Sequence, residues 1–425
     1  MSKSKKDNKF KQTEIGMIPE EWDVKALEEL VKFQYGLSES AEEIGEFIYI
    51  RITDITPDGF LDKSNLAYIN KNKVTEEYVL HVGDVLVART GATYGKTYLF
   101  KENFKATYGG FLIKFLFSNK LDNKFFFQFS RSKIYWNQAN NLVGGGAQPQ
   151  FNANVISKIK IPLPPLPEQR AIAKILSDLD AKIELNQQMN KTLEEIGQAI
   201  FKRWFIDFEF PNEEGKPYKS SGGKMVESEL GKIPEGWKVG SIYEIAEVIY
   251  GAPFNSKLFN KEKVGLPLIR IRDLKDYNPE FYTTENHPKS TIINPGDIIA
   301  SMDAEFRPYI WLGERSYLNQ RLCYFKPKNK VHKHFILNTI RPLLNFFESA
   351  KVGTTVIHLG KSDIDTWKIT IPDDEISKMY FEIIDPIYNR IVNNSIEIRV
   401  LSQLRDSLLP KLMSGKIRVP IEVKT

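Results

Sequence analysis

Residues Arg89–Thr97, RTGATYGKT, end in Gly-Lys-Thr, as a nucleotide-binding phosphate loop does. Such a loop needs two glycines separated by four residues, so that successive backbone N–H groups wrap the phosphates, and it joins a buried strand to a long helix. Here three residues, Ala92 to Tyr94, separate Gly91 from Gly95. DVLVA before the loop reads as a strand, but TYLFKENF after it is strand-like too. The spacing and setting fit a turn between strands that exposes Arg89, Thr90, Thr93, Tyr94 and Lys96. These residue types contact DNA phosphates and base edges. The plainer alternative is a solvated β-turn.

Other chemistries find less support. An amino-methyltransferase would carry Asp or Asn, then Pro-Pro and an aromatic; Asn278-Pro279-Glu280-Phe281 has the wrong third residue. Carboxylate–lysine strings such as Asp122-Asn123-Lys124 arise by chance where 27% of residues are charged. His332 and His334 would share one face of a strand, with no third metal ligand in view, and read as solvated surface. The one cysteine, Cys323, excludes an internal disulfide framework and argues against a cysteine-based zinc site, which fits a reducing, cytoplasmic setting. No apolar run approaches the roughly 20 residues that span a bilayer. The formal net charge of +5 is mild and compatible with nucleic acid without requiring it. The pattern is that of a reader, not a catalyst.

The chain is written twice. EIGMIPEEW at Glu14–Trp22 returns as ELGKIPEGW at Glu229–Trp237. IRITDI at Ile50–Ile55 returns as IRIRDL at Ile269–Leu274, and VGDVLVA at Val82–Ala88 as PGDIIAS at Pro295–Ser301. LVGGGAQ at Leu142–Gln148 echoes KVGTTVI at Lys351–Ile357, and KIKIPLP at Lys158–Pro164 echoes KITIPDD at Lys368–Asp374. Where the first copy has its glycine-rich turn, the second has SMDAEFRPYIW, with neither Gly nor Lys. Each copy begins with short β-branched and aromatic segments broken by Gly, Pro, Asn and Asp, then passes a proline-marked boundary into a helical pattern. The fold class is therefore α+β: two similar strand-rich domains in tandem with two long helices. The boundaries are a basic tail at 1–12, a first domain at 13–166, a helical spacer at 167–210, a linker at 211–228, a second domain at 229–372, a second spacer at 373–419 and a tail at 420–425.

In the first helical segment Leu176, Leu179, Ile183, Leu193, Ile200 and Trp204 fall at steps of three and four; Ile387, Ile391, Leu401, Leu408 and Leu412 match them in the second. Pro386 is expected to open the second long helix with Asp385 as its cap, and a matching break is expected near Ser177–Asp178. The first long helix, Leu179 to Asp207, would then measure about 43 Å, or roughly 13 base pairs at 3.4 Å each. So narrow a stripe is a coiled-coil seam. Asn186 and Asn394 occupy the same seam position and would face each other in parallel helices, or an apolar position or partner in antiparallel ones. Gly197 and Arg405 share another. The helices read equally as a spacer and docking surface or as an ordinary hairpin whose stripe is core.

This duplicated plan resembles the specificity subunit of type I restriction–modification systems, over about Thr13 to Val419. The strings that carry the resemblance are IPLPPLPEQRAIAKIL, LDAKIELNQQMNKTLEEIGQAIFKRWFIDF, LRDSLLPKLMSGKIRV, IPEEW/IPEGW and GDVLVARTG. The resemblance implies two target recognition domains held apart by two antiparallel helices. Each domain reads one half of a split, asymmetric site in double-stranded DNA. The helices set the gap and dock two modification subunits, which methylate adenine, and restriction motor-nuclease subunits join for cleavage. It also implies no catalytic residue and no cofactor in this chain: S-adenosylmethionine, ATP and Mg belong to the partners. The rival readings are a stand-alone two-domain DNA-binding or scaffold protein and a nucleotide hydrolase that loses ATP on Lys96→Ala.

Matched positions of the two copies supply the candidate DNA contacts. In the first they are Arg89, Thr90, Thr93, Tyr94 and Lys96, then Gly145, Gln148, Gln150 and Asn152. In the second they are Ser301, Asp303, Glu305, Arg307 and Tyr309, then Arg321, Thr354, Thr355 and His358. Arg suits guanine, Asn and Gln suit adenine, and Asp or Glu accepts from cytosine. Arg51 and Arg270 are expected to pair with Asp54 and Asp273 instead. Trp204, Phe205, Phe208, Leu412 and Met413, near the helix ends, are candidates for docking the modification subunit or for core.

Overall fold

The computed structural model describes residues 9–56, 59–143, 151–303, 306–350 and 359–420. The chain divides into two compact units, Met1–Lys182 with Leu401–Thr425, and Ile183–Val400. Unit 1 opens with a hairpin of β1 (Phe10–Thr13) and β2 (Gly16–Pro19), followed by β3 (Asp23–Ala26), β4 (Val31–Tyr35), β5 (Phe47–Ile50), β6 (Ala67–Ile69), β7 (Val85–Ala88), β8 (Thr97–Leu99), β9 (Ala106–Tyr108) and β10 (Leu112–Phe117). Helices α1 (Asn123–Phe129), α2 (Lys133–Val143) and α3 (Ala153–Ile156) lead to β11 (Lys160–Leu163), which pairs antiparallel with β3. One sheet has the order β4-β10-β7-β8, all antiparallel; the other has β6-β5-β9, with β5 and β9 parallel.

The run Val85-Leu86-Val87-Ala88 explains why these layers meet. All four side chains are buried, because β7 is covered on both faces. Val85 and Val87 join Trp22, Phe115, Phe125 and Phe126 on one side; Leu86 and Ala88 join Tyr98, Phe100 and Tyr108 on the other.

Helix α4 (Leu166–Phe201) follows β11 directly and ends in a single π turn at Lys202–Ile206. Its first turn is set at Pro165, whose carbonyl accepts from the N–H groups of Glu168 and Gln169, and Pro167 sits where a missing N–H is harmless. The break expected near Ser177–Asp178 is absent. Asp178 instead pairs with Lys174 one turn back, at 2.6 Å. The helix therefore starts at Leu166 and not at Leu179, and the expected span Leu179–Asp207 is not an element of its own.

Unit 2 repeats the plan with β12 (Met225–Ser228), β13 (Gly231–Pro234), β14 (Lys238–Ser241), β15 (Ala246–Tyr250), β16 (Phe259–Asn260), β17 (Leu266–Ile269), β18 (Tyr282–Thr283), β19 (Ile292–Ile293), β20 (Ile298–Ser301), β21 (Pro308–Ile310), β22 (Ser316–Leu318) and β23 (Leu322–Pro327). Then come α5 (Lys333–Ala350), α6 (Lys361–Ile364), β24 (Lys368–Ile371) and α7 (Asp374–Met413). The order β15-β23-β20-β21 reproduces the four-stranded sheet of unit 1, and β17 pairs parallel with β22 as β5 does with β9.

The start of α7 also differs from expectation. Asp373 caps it, accepting from Ile376 N–H at 2.8 Å, and the helix runs on through Pro386. Pro386 removes one helical donor, but buried Ile384 and Tyr388 hold the turn on either side. Asp385 is no cap: its carboxylate accepts from Asn389 at 2.7 Å and meets His334 Nε2 at 2.9 Å. His334 lies in α5, not on a strand, and is 2% exposed rather than solvated. Its ring stacks on Tyr388 with centroids 4.6 Å apart.

Within unit 2, α4 and α7 run antiparallel: Asn186 Nδ2 donates to Glu397 Oε2 at 2.9 Å, and Asn394 Nδ2 to Asn190 Oδ1 at 2.9 Å. Partner numbers fall on one helix as they rise on the other. Both seam asparagines meet polar groups of the facing helix, not the apolar position or partner protein expected of an antiparallel pair. Within unit 1, buried Asp180 of α4 accepts from Gln128 Nε2 at 2.9 Å, Arg131 Nη1 at 2.6 Å and Arg405 Nη1 of α7 at 3.0 Å.

Burial pushes the His334 imidazole from 6.5 down to about 4, against the opposing pull of Asp385. The unfolded chain therefore binds a proton between pH 6.5 and 4 that folded unit 2 does not, and stability falls as pH drops through that window. His332 is lowered in the same direction by burial. In urea titrations of unit 2 followed across that range, His334→Gln should flatten the pH slope; an unchanged slope would assign it elsewhere. Asp180→Ala should leave two partly buried guanidinium groups facing each other. The expected cost is on the order of 2 kcal/mol, moderated by their residual water contact, and faster hydrogen exchange in α1, α2 and the end of α7 reads it.

Candidate nucleic-acid interface

RTGATYGKT is the turn between β7 and β8, which pair antiparallel with Val87 opposite Thr97. Gly91 (φ +71°) and Gly95 (φ +77°) supply the left-handed backbone, and a Cβ on Gly95 would come within 3.2 Å of the Trp136 ring. A strand follows where a phosphate loop needs a helix, so the geometry is not that of a nucleotide site.

The turn splits its candidates between different surfaces. Arg89 sits at the end of β7 with both backbone groups pinned: its N–H donates to Phe111 O at 3.0 Å and its carbonyl accepts from Phe151 N–H at 2.9 Å. The guanidinium carbon lies 5.2 Å from the Tyr35 ring centre and 5.6 Å from that of Phe111. It lines a cavity of about 630 Å³ with Ser38, Glu39, Tyr49, Arg51 and Thr53. Thr90 and Thr93 line an adjoining concavity of about 360 Å³ that shares Ile52, Thr53 and Phe111 with the first. Arg89, Thr90 and Thr93 thus border one continuous surface.

Lys96 does not join them. It lines a separate pocket of about 230 Å³ beside Arg131, Trp136 and Arg405. Tyr94 packs against Trp136 and Phe151 and donates to Asn140 Oδ1 at 2.8 Å, which makes it a brace for the turn. Asn152 caps α3, accepting from Val155 N–H at 3.1 Å. Gly145, Gln148 and Gln150 lie outside the described residues.

Arg51 is held as expected. Its Nη2 donates to Asp54 Oδ1 at 2.8 Å, and the Asp54 carboxylate raises the guanidinium above its ordinary range. Arg270 pairs with Asp273 at 3.3 Å and with Glu280 at 2.9 Å. The paired Glu280 carboxylate, facing Lys261 first and then Arg270, is held down to about 2.

In unit 2 the same backbone frame carries different side chains. Met302 N–H donates to Arg321 O at 2.9 Å, and Leu359 N–H to Met302 O at 2.7 Å, so Met302 stands where Arg89 does and Arg321 where Phe111 does. Met302 is buried. Arg321 is exposed, in the left-handed region (φ 73°), with its Nη1 3.1 Å from Asp303 Oδ2. Arg307 is exposed and Tyr309 half-buried on β21. Ser301 is fully buried and donates to Asp303 O at 2.5 Å, so it shapes the turn and cannot reach a ligand. Glu305, Thr354, Thr355 and His358 lie outside the described residues.

The candidates for partner docking are mostly core. Trp204 and Phe205 pack with Phe335 and Tyr380 in unit 2; Leu412 and Met413 are buried in unit 1. Phe208 is half-buried against Trp237. Their aromatic and aliphatic character reflects packing. The residues missed by the sequence are Tyr35, Thr53 and Phe111. The sequence signal is a large aromatic straight after Gly109-Gly110, and the structure leaves that ring 57% exposed.

Burial pushes the Cys323 thiol up to about 12, so it is no nucleophile at neutral pH. Among the described residues no cluster of three His, Cys, Asp or Glu side chains is placed to hold a metal, and no helix is long and apolar enough to cross a membrane.

Residues 19–195 and 234–400 match the family described as type I restriction modification DNA specificity domain, once in each repeat. The chain belongs to this family. It is 29% identical to the type I restriction enzyme MjaIX specificity subunit of Methanocaldococcus jannaschii, over 99% of both chains. It is 27% identical to the HindI specificity subunit of Haemophilus influenzae, over 64% of this chain and 72% of that one. The fold is similar to the crystal structure of the type I restriction–modification S subunit from M. genitalium, with a TM-score of 0.61 at 14% identity, over 92% of this chain and 96% of that one.

Lys96 lines its pocket with Arg131 and Arg405, both paired with Asp180, and with Asp406, so its ammonium can act on DNA only as a point charge without the bidentate fork that reads a base. Lys96→Ala should weaken DNA binding by about the same factor for every sequence and lower the salt slope by about 1. Titration of fluorescent duplexes at several salt concentrations reads both. ATP binding, measured by calorimetry, should be equally absent before and after the substitution.

Proposed function

We propose that this chain is the sequence-reading subunit of a type I restriction–modification complex, and that each unit reads one half of a split, asymmetric DNA site. The observation that carries this reading is one backbone frame bearing different chemistry in its two copies. Arg89 beside Phe111 in unit 1 becomes Met302 beside Arg321 in unit 2, under matching backbone hydrogen bonds. Unit 1 presents Arg89 and Phe111 there, whereas unit 2 buries Met302 and presents Arg321, and such unlike surfaces suit two unlike sequences.

Adenine methylation and cleavage are the work of partner subunits in this proposal, which also hold S-adenosylmethionine, ATP and Mg. The helical pair of unit 2 supports a docking role. Leu185 and Ile196 on α4, with Ile396 and Val400 on α7, are each at least 40% exposed, an apolar surface that suits two modification subunits.

The test is expression of the system's modification subunit with and without this chain, followed by mapping of methylated adenines in host DNA. Methylation of one split motif only in the presence of this chain is the expected result. Two soluble, associated proteins that leave the methylation pattern unchanged would instead favour a stand-alone DNA binder.

A further inference from the structure

We infer that Arg89 reads a guanine, and that this G·C pair lies in the half-site of unit 1 alone; the inference rests on the DNA-reading function proposed above. Six arginines belong to unit 1. Arg51, Arg131, Arg170, Arg405 and Arg418 each have a carboxylate within 4 Å. Arg89 alone has no carboxylate partner among the described residues. Its side-chain interactions are with two rings, Tyr35 and Phe111, and its buried Nε has no hydrogen-bond partner.

A guanidinium left without a counter-charge, yet fixed at its backbone and flanked by aromatics, is preorganised for a planar acceptor pair. Guanine offers O6 and N7 in that geometry. A backbone phosphate is the competing ligand. Two features disfavour it. Glu39 lines the same cavity and would repel a phosphate, whereas Arg51 there is already paired with Asp54, and the rings flanking the guanidinium are open to solvent, Phe111 57% and Tyr35 39% exposed. Such rings suit the flat face or methyl group of a base.

Among the described residues, the matching position of unit 2 offers no equivalent. Met302 at the matching position is buried, and Arg321 arises from the opposite strand and pairs with Asp303.

The experiment uses the complex of this chain with its modification subunit. Binding is measured on a panel of duplexes in which each base pair of the mapped motif is replaced in turn. Wild type should discriminate for one G·C pair in one half-site by about ten- to a hundredfold. Arg89→Ala should erase that discrimination and leave preferences in the other half unchanged. Arg89→Lys, which retains charge but not the fork, should lose most of it too. An equal loss of affinity on every duplex would make Arg89 a phosphate contact and overturn the inference. An unchanged preference at every position would overturn it as well, with the specificity function still standing. A wild-type complex with no sequence preference would overturn both. Should the alanine variant not fold, the lysine variant decides by the same readout.

Discussion

One buried carboxylate holds unit 1 together. Asp180 accepts from Gln128 and Arg131, which belong to the strand-rich domain, and from Arg405, which belongs to the C-terminal helix. Burying a lone carboxylate is costly, and so is burying either guanidinium. Only the assembled cluster satisfies all of them, so the domain, α4 and the end of α7 form as one unit. A second cluster seals the same arrangement. Trp22 Nε1 donates to Glu168 Oε2 at 3.1 Å, and Arg418 grips Glu168 through Nε at 2.7 Å and Nη2 at 3.0 Å. Residues from both ends of the sequence therefore build the first unit.

Unit 2 covers the matching tryptophan without charge. Trp237 is the repeat of Trp22, and Phe210 stacks on it at 5.1 Å where unit 1 places Arg418 over Trp22 at 5.8 Å. In each unit the tryptophan after the first hairpin is covered by the segment that follows a long helix, but the helix is α7 for unit 1 and α4 for unit 2. The seam within unit 2 has a corresponding logic. Asn186 to Glu397, Asn190 to Ser395 and Asn394 to Asn190 are three polar matches that a slip of one turn would break. Gly197 belongs to the same design: a Cβ there would meet the Tyr388 hydroxyl at 3.0 Å.

The architecture was legible because duplication exposes it: equivalent strings had to occupy equivalent places, and the strand pairings agree between the copies. What composition and spacing could not give was the choice among polar roles. Asn152, Tyr94 and Ser301 have the side chains of base readers, yet each satisfies a local backbone or side-chain need first. A proline in a helical pattern marks a beginning only where packing does not carry the helix past it. At Pro165 and Pro167 that logic holds, but at Pro386 core packing carries the helix through. Tyr35 and Phe111 meet Arg89 only through sheet pairing, far from it in sequence, so no local pattern marks them.

That division explains how one scaffold can change what it reads. Arg51 with Asp54 and Arg270 with Asp273 build the same 3-10 turn in both units, and the backbone bonds at Arg89 and Met302 are alike. None of these bonds involves the side chains that differ. Arg321 in unit 2 and Phe111 in unit 1, the exposed groups at the turn, therefore carry little of the fold's stability, unlike Tyr94 and Met302, which pack inward. A loop that had to hold itself together with its own reading residues could not be re-specified without being destabilised. Here the sheet positions the reader, and the reader is free to vary.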